Sequence, residues 1–316
     1  MPVDPCFAEL LANPRNAVRP PPSTVPLEKV RQAANIAMQL APRPAIHAVE
    51  DIVAQGPAGP LRLRLYRPAN TPALPIIVFI HGGGFVFGDL DTHDGLCRTL
   101  ALESGAAVVA VEYRLAPETR FPGAIEDCTA ALHCVVRDAQ MLGLDPSRIA
   151  LCGDSAGGAL ALATALIARD SGPAIRHVAL LYPMVDPHCS SISQTQFATG
   201  YMLTQAAMHW FWTCYLGEAT PGPLAALLTA DLKGLPPIYL ATAEYDPLRD
   251  EGEALADRLA AAGCSVTRRR YAGMIHGFAL MPQLTPWAGQ ALRDIAHAMR
   301  PFLFAASPSP QLRAPA

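Results

Sequence analysis

The sequence predicts an α/β protein, a mostly parallel central sheet flanked by helices. Three observations carry this. Short apolar runs rich in Val and Ile alternate with helix-length segments through most of the chain, which is how βαβ units read in sequence. The run Ile76 to Ile80 is apolar at every position, as a strand covered on both faces requires. Apolar residues make up 51% of the 316 positions and charged residues 16%, so a sizeable core can form without a metal or disulfide staple.

The elements follow in order. Residues 1 to 46 are proline-rich and irregular, with Pro20-Pro21-Pro22 interrupting them. A helix is expected from Leu27 to Leu40, where Val30, Ala33, Ala34, Ala37 and Met38 fall near one face. His47 to Ala54 and Leu61 to Tyr66 read as a strand pair. Further strands are expected at Ile76 to Ile80, Ala107 to Val111, Ile149 to Cys152, Val178 to Tyr182, Ile238 to Ala243 and Ser265 to Tyr271. Helices fit between them at Gly95 to Ser104, Gly123 to Gln140, Ala156 to Asp170 and Glu251 to Ala262, the last stopped by Gly263. Pro187 to Gly217 breaks the rhythm. It has no charged residue but carries Phe197, Tyr201, Met202, Trp210, Phe211, Trp212 and Tyr215. Leu203, Ala207, Trp210 and Cys214 recur at helical spacing. The segment reads either as a buried helix on the sheet or as an apolar lid over a pocket.

Charge and cysteine usage narrow the function classes. Lys plus Arg is 24 and Asp plus Glu is 27, a net charge of −3. With no basic run to track phosphates, a nucleic-acid binder is not expected. The eight cysteines are scattered, with no CxxC and no zinc-ligand spacing, which fits reduced thiols in the cytoplasm. The start, Met-Pro-Val-Asp-Pro, lacks the basic and apolar regions of a signal peptide. The longest strongly apolar stretch, Ala156 to Ala168, is too short to span a bilayer. A cytoplasmic protein is expected.

Gly153-Asp154-Ser155-Ala156-Gly157 is a G-x-S-x-G pentapeptide between an expected strand and a small-residue helix. That context is a nucleophile elbow: a strained turn lifts the serine above the sheet edge, and Gly153, Gly157 and Gly158 leave it room. His81-Gly82-Gly83-Gly84 follows the fully apolar strand. Acyl transfer needs N–H donors where a carbonyl oxygen becomes an oxyanion, and consecutive glycines turn backbone N–H groups inward. The donors expected are Gly83, Gly84 and Ala156. His81 reads as a structural hydrogen-bonder that holds the loop.

A serine hydroxyl needs a base, and the base an orienting acid, in the chain order Ser, acid, His. Asp246 follows the next-to-last strand and is the expected acid, with Glu244 and Asp250 as alternatives. Asp250 also suits a helix N-cap, with Glu253 three residues on. His276 lies between Gly273 and Gly277 after the last strand, in a loop expected to give it the freedom to reach Ser155. Past Asp246 the other histidine is His297, in an Ala-rich helix. The acidic stretch Asp89, Asp91, His93 and Asp94 lacks a second ligand cluster, so no metal is expected. No Gly-rich dinucleotide fingerprint follows the first strand, so no cofactor is expected either.

From about residue 47 to 300 the chain resembles the bacterial hormone-sensitive-lipase family of α/β-hydrolase esterases. The markers are His-Gly-Gly-Gly-Phe (81–85), Gly88-Asp89-Leu90-Asp91-Thr92-His93-Asp94, Tyr113-Arg114-Leu115-Ala116-Pro117-Glu118, Gly-Asp-Ser-Ala-Gly-Gly (153–158), Asp246-Pro247-Leu248-Arg249-Asp250-Glu251 and Gly-Met-Ile-His-Gly-Phe (273–278). The resemblance implies an α/β-hydrolase fold with a helical cap, a Ser155/Asp246/His276 triad, no metal, and hydrolysis of carboxylic esters. It implies a cap drawn from residues 1–46 and 188–225, over a core of 47–187 and 226–306, with 307–316 as a flexible tail. Where the family continues His-Pro-Phe-Pro, this chain has Thr119-Arg120-Phe121-Pro122, a difference that bears on loop packing rather than on the triad. Family members are often dimers, so a homodimer is expected.

The reading is a serine esterase of short- to medium-chain esters, working through an acyl-enzyme on a small-molecule ester. Phe85, Phe197, Tyr201, Trp210 and Trp212 are expected to bind substrate, and Trp210 or Trp212 to wall the acyl pocket. Amidase, deacetylase or lactonase activity on the same triad is the alternative. A non-catalytic ligand-binding module is the other; plant gibberellin receptors resemble the family but lack the triad histidine, which is present here as His276.

Overall fold

The computed structural model describes residues 2–13 and 22–304. The expected tail at 307–316, and Pro20 and Pro21 of the proline run, lie outside the described residues. The strands are β1 (Ala48–Gly56), β2 (Gly59–Arg67), β3 (Leu74–Ile80), β4 (Ala107–Val111), β5 (Leu144–Asp154), β6 (His177–Leu181), β7 (Ile238–Tyr245) and β8 (Val266–Ile275). They form one sheet in the order β1-β2-β4-β3-β5-β6-β7-β8. β2 runs antiparallel to both neighbours and every other pairing is parallel.

The strand period of two distributes β3 between two core layers. Leu74, Ile76, Val78 and Ile80 face one layer, and Ile77 and Phe79 the other. The first layer is closed by helices Gly123–Asp138, Ala156–Ser171 and Arg249–Ala261, the second by Asp94–Ser104 and Pro286–Phe304. This two-sided cover is why β3 shows no polar alternation. Gly105 ends Asp94–Ser104 in the left-handed region, and Gly263 follows the helix Arg249–Ala261 at φ +85°, as its position in the sequence suggests.

Three expectations are refined. β8 runs on through Gly273 to Ile275, because Gly273 takes φ +75° and donates its N–H to the Glu244 carboxylate at 2.7 Å, which lets Ile275 pair with Tyr245. The segment after β6 holds two helices, Ile192–Gln196 and Gln205–Leu216, the second capped by the Thr204 hydroxyl accepting from Ala207 N–H. Its buried face runs through Ala207, Met208, Phe211, Trp212 and Tyr215, while Trp210 and Cys214 are half-buried. The expected row Leu203–Ala207–Trp210–Cys214 was therefore about one position out of phase, a rotation of roughly 100° on a 3.6-residue helix. No helix among the described residues is long and apolar enough to cross a membrane.

Candidate active site

The C-terminal ends of β3, β5, β7 and β8 converge on one point. β5 ends at Asp154 and the next helix begins at Ala156, so Ser155 alone makes the turn, at φ 53° and ψ −123°. Backbone strain of this kind costs roughly 1–3 kcal/mol and persists only where the surroundings enforce it. Here Ser155 N–H donates to Leu181 O at 2.8 Å, and Ser155 O accepts from Gly158 and Met184 N–H groups at 3.0 and 3.1 Å. A Cβ on Gly153 would stand 2.2 Å from Gly157 O, and one on Gly157 2.1 Å from Ile80 O. Both positions demand glycine by contact with backbone that cannot yield.

His276, the residue after β8, places Nε2 3.0 Å from Ser155 Oγ and Nδ1 2.8 Å from Asp246 Oδ2. A carboxylate only accepts, so Nδ1 carries the proton and Nε2 offers its lone pair to the serine hydroxyl. Asp246 is fully buried, and its other oxygen accepts from Leu248 N–H at 2.8 Å. The His276 ring meets Tyr182 edge-on at 4.9 Å. The imidazole is thus held from two sides, and the freedom expected of a glycine-flanked loop is not what brings it to Ser155. The alternative acids are occupied elsewhere. Glu244 holds Gly273, and Asp250 accepts from Ser193 N–H at 2.8 Å and pairs with Arg249. Nor is Asp250 an N-cap, since the helix starts one residue earlier at Arg249. His297 is exposed on the helix Pro286–Phe304.

Gly83 and Gly84 sit at φ 114° and 60° in a turn closed by Val86 and Phe87 N–H groups, both donating to Gly83 O at 3.0 Å. Among the described residues nothing accepts from the N–H groups of Gly83, Gly84 and Ala156, which leaves three donors for a developing oxyanion. His81 is buried, donates Nδ1–H to Gly82 O at 2.7 Å and stacks on Tyr113. Burial pulls its pKa down to about 4, keeping it neutral and structural, as its place in the loop suggests.

A family profile for the alpha/beta hydrolase fold matches residues 77–280. The chain belongs to the hormone-sensitive-lipase family of α/β-hydrolases. It is 40% identical over 273 residues to the carboxylic ester hydrolase LipN of Mycobacterium tuberculosis, covering 83% of this chain and 73% of that one. It is 37% identical to an ethyl acetate hydrolase of Pseudomonas putida, covering 77% and 79%. Among solved structures, a thermostable esterase from Pseudomonas putida superposes with a TM-score of 0.92 at 36% identity, over 96% of this chain and 99% of the other.

Two contacts of the site were not read from its motifs. Asp154, the variable residue of G-x-S-x-G, is buried and accepts from Gly82 N–H at 2.8 Å, with His93 Nε2 3.2 Å away. Burial pushes the Asp154 carboxyl up, but His93 and the Gly82 N–H outweigh it and hold it below the usual value. The turn at Ser155 and the Gly82–Gly84 loop are thereby tied to each other. Glu251, also buried, accepts from Val185 and Asp186 N–H groups at 2.7 and 3.2 Å and from Gln194 Nε2 at 3.1 Å. It fastens the helix after Asp246 to the segment after β6. The acidic stretch is structural: Asp89 turns the loop through Asp91 and Thr92 N–H groups, Asp91 pairs with Arg64, and Asp94 with Arg98.

The aromatic residues fall into two groups. Phe85 stacks on Tyr215 at 3.9 Å beside Trp212, all three buried. Phe197 and Tyr201 pack with Tyr245, next to Asp246, and Arg249 lies over the Phe197 ring. Trp210 is half-buried beside Phe211. Phe211 was named with this aromatic segment but not among the substrate-binding residues, and it is the ring that covers Gly84. Its position between two tryptophans in a charge-free segment was the available signal, but only the helix rotation decides which ring faces the loop.

Proposed function

We propose that this chain is a serine esterase of short- to medium-chain carboxylic esters, with Ser155, His276 and Asp246 as its triad. The observation that supports this most is the unbroken line from Asp246 Oδ2 through His276 to Ser155 Oγ, at 2.8 and 3.0 Å. Ser155 Oγ attacks the acyl carbonyl as its proton passes to His276 Nε2. The Gly83, Gly84 and Ala156 N–H groups receive the oxyanion. Asp246 holds the imidazole tautomer and stabilises the imidazolium. His276 then gives the proton to the leaving alcohol and activates water against the acyl-enzyme.

Residues 1–46 and 188–225 form the cap in this reading, and the acyl group lies beneath them, near Phe85, Phe197, Tyr201, Trp210 and Trp212. The crowding of rings around Gly84 argues for a pocket that ends early, with an optimum near butanoyl to hexanoyl. A cytoplasmic homodimer completes the reading. The eight cysteines are all free thiols, which suits a reducing compartment, and light scattering on the purified protein tests the dimer.

The decisive test is Ser155→Ala assayed with p-nitrophenyl esters of rising chain length. Turnover is expected to fall by roughly 10⁶, and covalent labelling by an organophosphate to vanish. A variant that keeps near-normal turnover overturns the mechanism.

A further inference from the structure

The oxyanion turn is anchored at its start by the core, through Gly82 N–H on Asp154. Its far end is anchored by the N-terminal helix Leu27–Met38. Arg31 on that helix donates Nε–H to Val86 O at 2.7 Å and Nη2–H to Ala116 O at 2.9 Å. Both Nη groups also meet the Glu118 carboxylate at 2.7 Å. Val86 closes the turn on Gly83 O, and Phe85 O accepts from Ala116 N–H at 2.8 Å. One guanidinium therefore staples the Gly83–Phe87 turn to the loop that carries Ala116 and Glu118. Four residues on, Asn35 adds a second attachment: it accepts from Gly88 N–H at 3.3 Å and donates to Asp89 at 3.0 Å.

None of the residues of this helix is fully buried. Leu27, Val30, Ala34 and Met38 are only half-buried, so the polar contacts of Arg31 and Asn35 add to a partial apolar seating. The Tyr113–Glu118 motif, to which the reaction assigns no step, has a role here. Its Ala116 carbonyl and Glu118 carboxylate form the receptor for a planar bidentate donor, a geometry that lysine cannot reproduce.

We propose that Arg31 is a positioning residue for the oxyanion hole, so that docking of the N-terminal helix sets the aim of the Gly83 and Gly84 N–H groups. Gly84 and Phe85 both hold positive φ, at 60° and 65°, with Phe85 a non-glycine residue there. A turn of that kind keeps its shape only under external restraint. Loss of the staple lets it relax, and the donors lose their aim on the transition-state oxygen more than the pocket loses its grip on the ground state.

The inference rests on the triad reading, and its test separates the two. Arg31→Ala, Arg31→Lys and Glu118→Gln are compared with the parent enzyme on p-nitrophenyl butyrate, and for inhibition by an alkyl trifluoromethyl ketone. That ketone forms a bond from its carbonyl carbon to Ser155 Oγ, the serine proton moves to His276, and the carbonyl π pair becomes an oxyanion in the hole. Arg31→Ala is expected to lower kcat by about 10- to 100-fold with KM within about twofold, and to weaken the ketone in step with kcat/KM. Arg31→Lys is expected to recover part of the loss. Glu118→Gln, at an exposed carboxylate whose removal spares the core, is expected to lose about two- to fivefold in kcat. Unchanged kcat and ketone inhibition in folded Arg31→Ala overturn the proposal, as does a loss confined to KM or to thermal stability. If Arg31→Ala does not fold, full activity of both Arg31→Lys and Glu118→Gln overturns it. A catalytically competent Ser155→Ala would instead remove the triad reading beneath it.

Discussion

The Phe211 ring lies so close over Gly84 that a Cβ on that glycine would stand 2.4 Å from it. The helix Gln205–Leu216 and the Gly83–Phe87 turn, distant in sequence, are thus in van der Waals contact, and in the proposed reading that contact bounds the space for an acyl chain. Gly84→Ala meets both this ring and an unfavourable φ of 60°. Its kcat is expected to fall by about 100-fold or more, with stability lowered by roughly 1–3 kcal/mol. Phe211→Ala in the same variant should relieve the clash but not the backbone strain, so only part of the loss returns. Full activity of Gly84→Ala alone would show that the turn is freer than this contact implies.

Phe211→Ala by itself should move the acyl optimum to longer chains, since each further buried CH₂ gains about 0.8 kcal/mol. Trp212 packs among Phe85 and Tyr215, so Trp212→Ala should cost about 3–5 kcal/mol in stability. Trp210→Ala, at a half-buried site, should cost less. Chain-length profiles with denaturant melts decide this. A parent optimum at twelve carbons or more, unmoved in all three variants, refutes the picture of the cap.

Asp246→Asn should fold and lose about 10⁴ in kcat, because an amide no longer enforces the His276 tautomer. Asp250→Asn touches Ser193 and Arg249 rather than the imidazole. It should leave kcat within a few-fold and cost about 1 kcal/mol. The opposite ranking in steady-state kinetics would mean that the wrong carboxylate has been assigned.

Burial pushes Glu251 from 4.5 to about 8, despite the Val185, Gln194 and Asp186 groups that donate to it and with Asp186 adding repulsion. Below pH 4.5 both folded and unfolded chains hold the proton and the group is silent. Between there and about pH 8 the unfolded chain releases it while the folded chain keeps it, so stability falls as pH rises, on the order of 1 kcal/mol per unit. Glu251→Gln removes this titration, and turning the Gln194 amide lets both amides pair. Urea unfolding should therefore show the variant gaining on the parent from pH 5 to 8. Parallel stability curves across that range would exclude the effect.

The sheet and the residues that meet at Ser155 were legible in sequence because most of their signals are written in local chemistry. A strand buried on both faces must be apolar throughout, as Ile76 to Ile80 is. A serine turn must be ringed by glycine where an added Cβ would stand within 2.2 Å of backbone oxygen, as at Gly153 and Gly157. Asp246 and His276 could be brought together in sequence because strand order places them at the ends of β7 and β8. What tertiary structure alone decided depends on groups distant in the chain. Helix rotation put Phe211, rather than either neighbouring tryptophan, over Gly84. Sheet register carried β8 through Gly273, so His276 is held by Asp246 and Tyr182 instead of by a loop. The docking of a half-exposed helix brought Arg31 to Val86, Ala116 and Glu118 across gaps of 55 to 87 positions. Polar contacts of that range leave no periodic trace, because any exposed arginine reads alike until the fold supplies its acceptors.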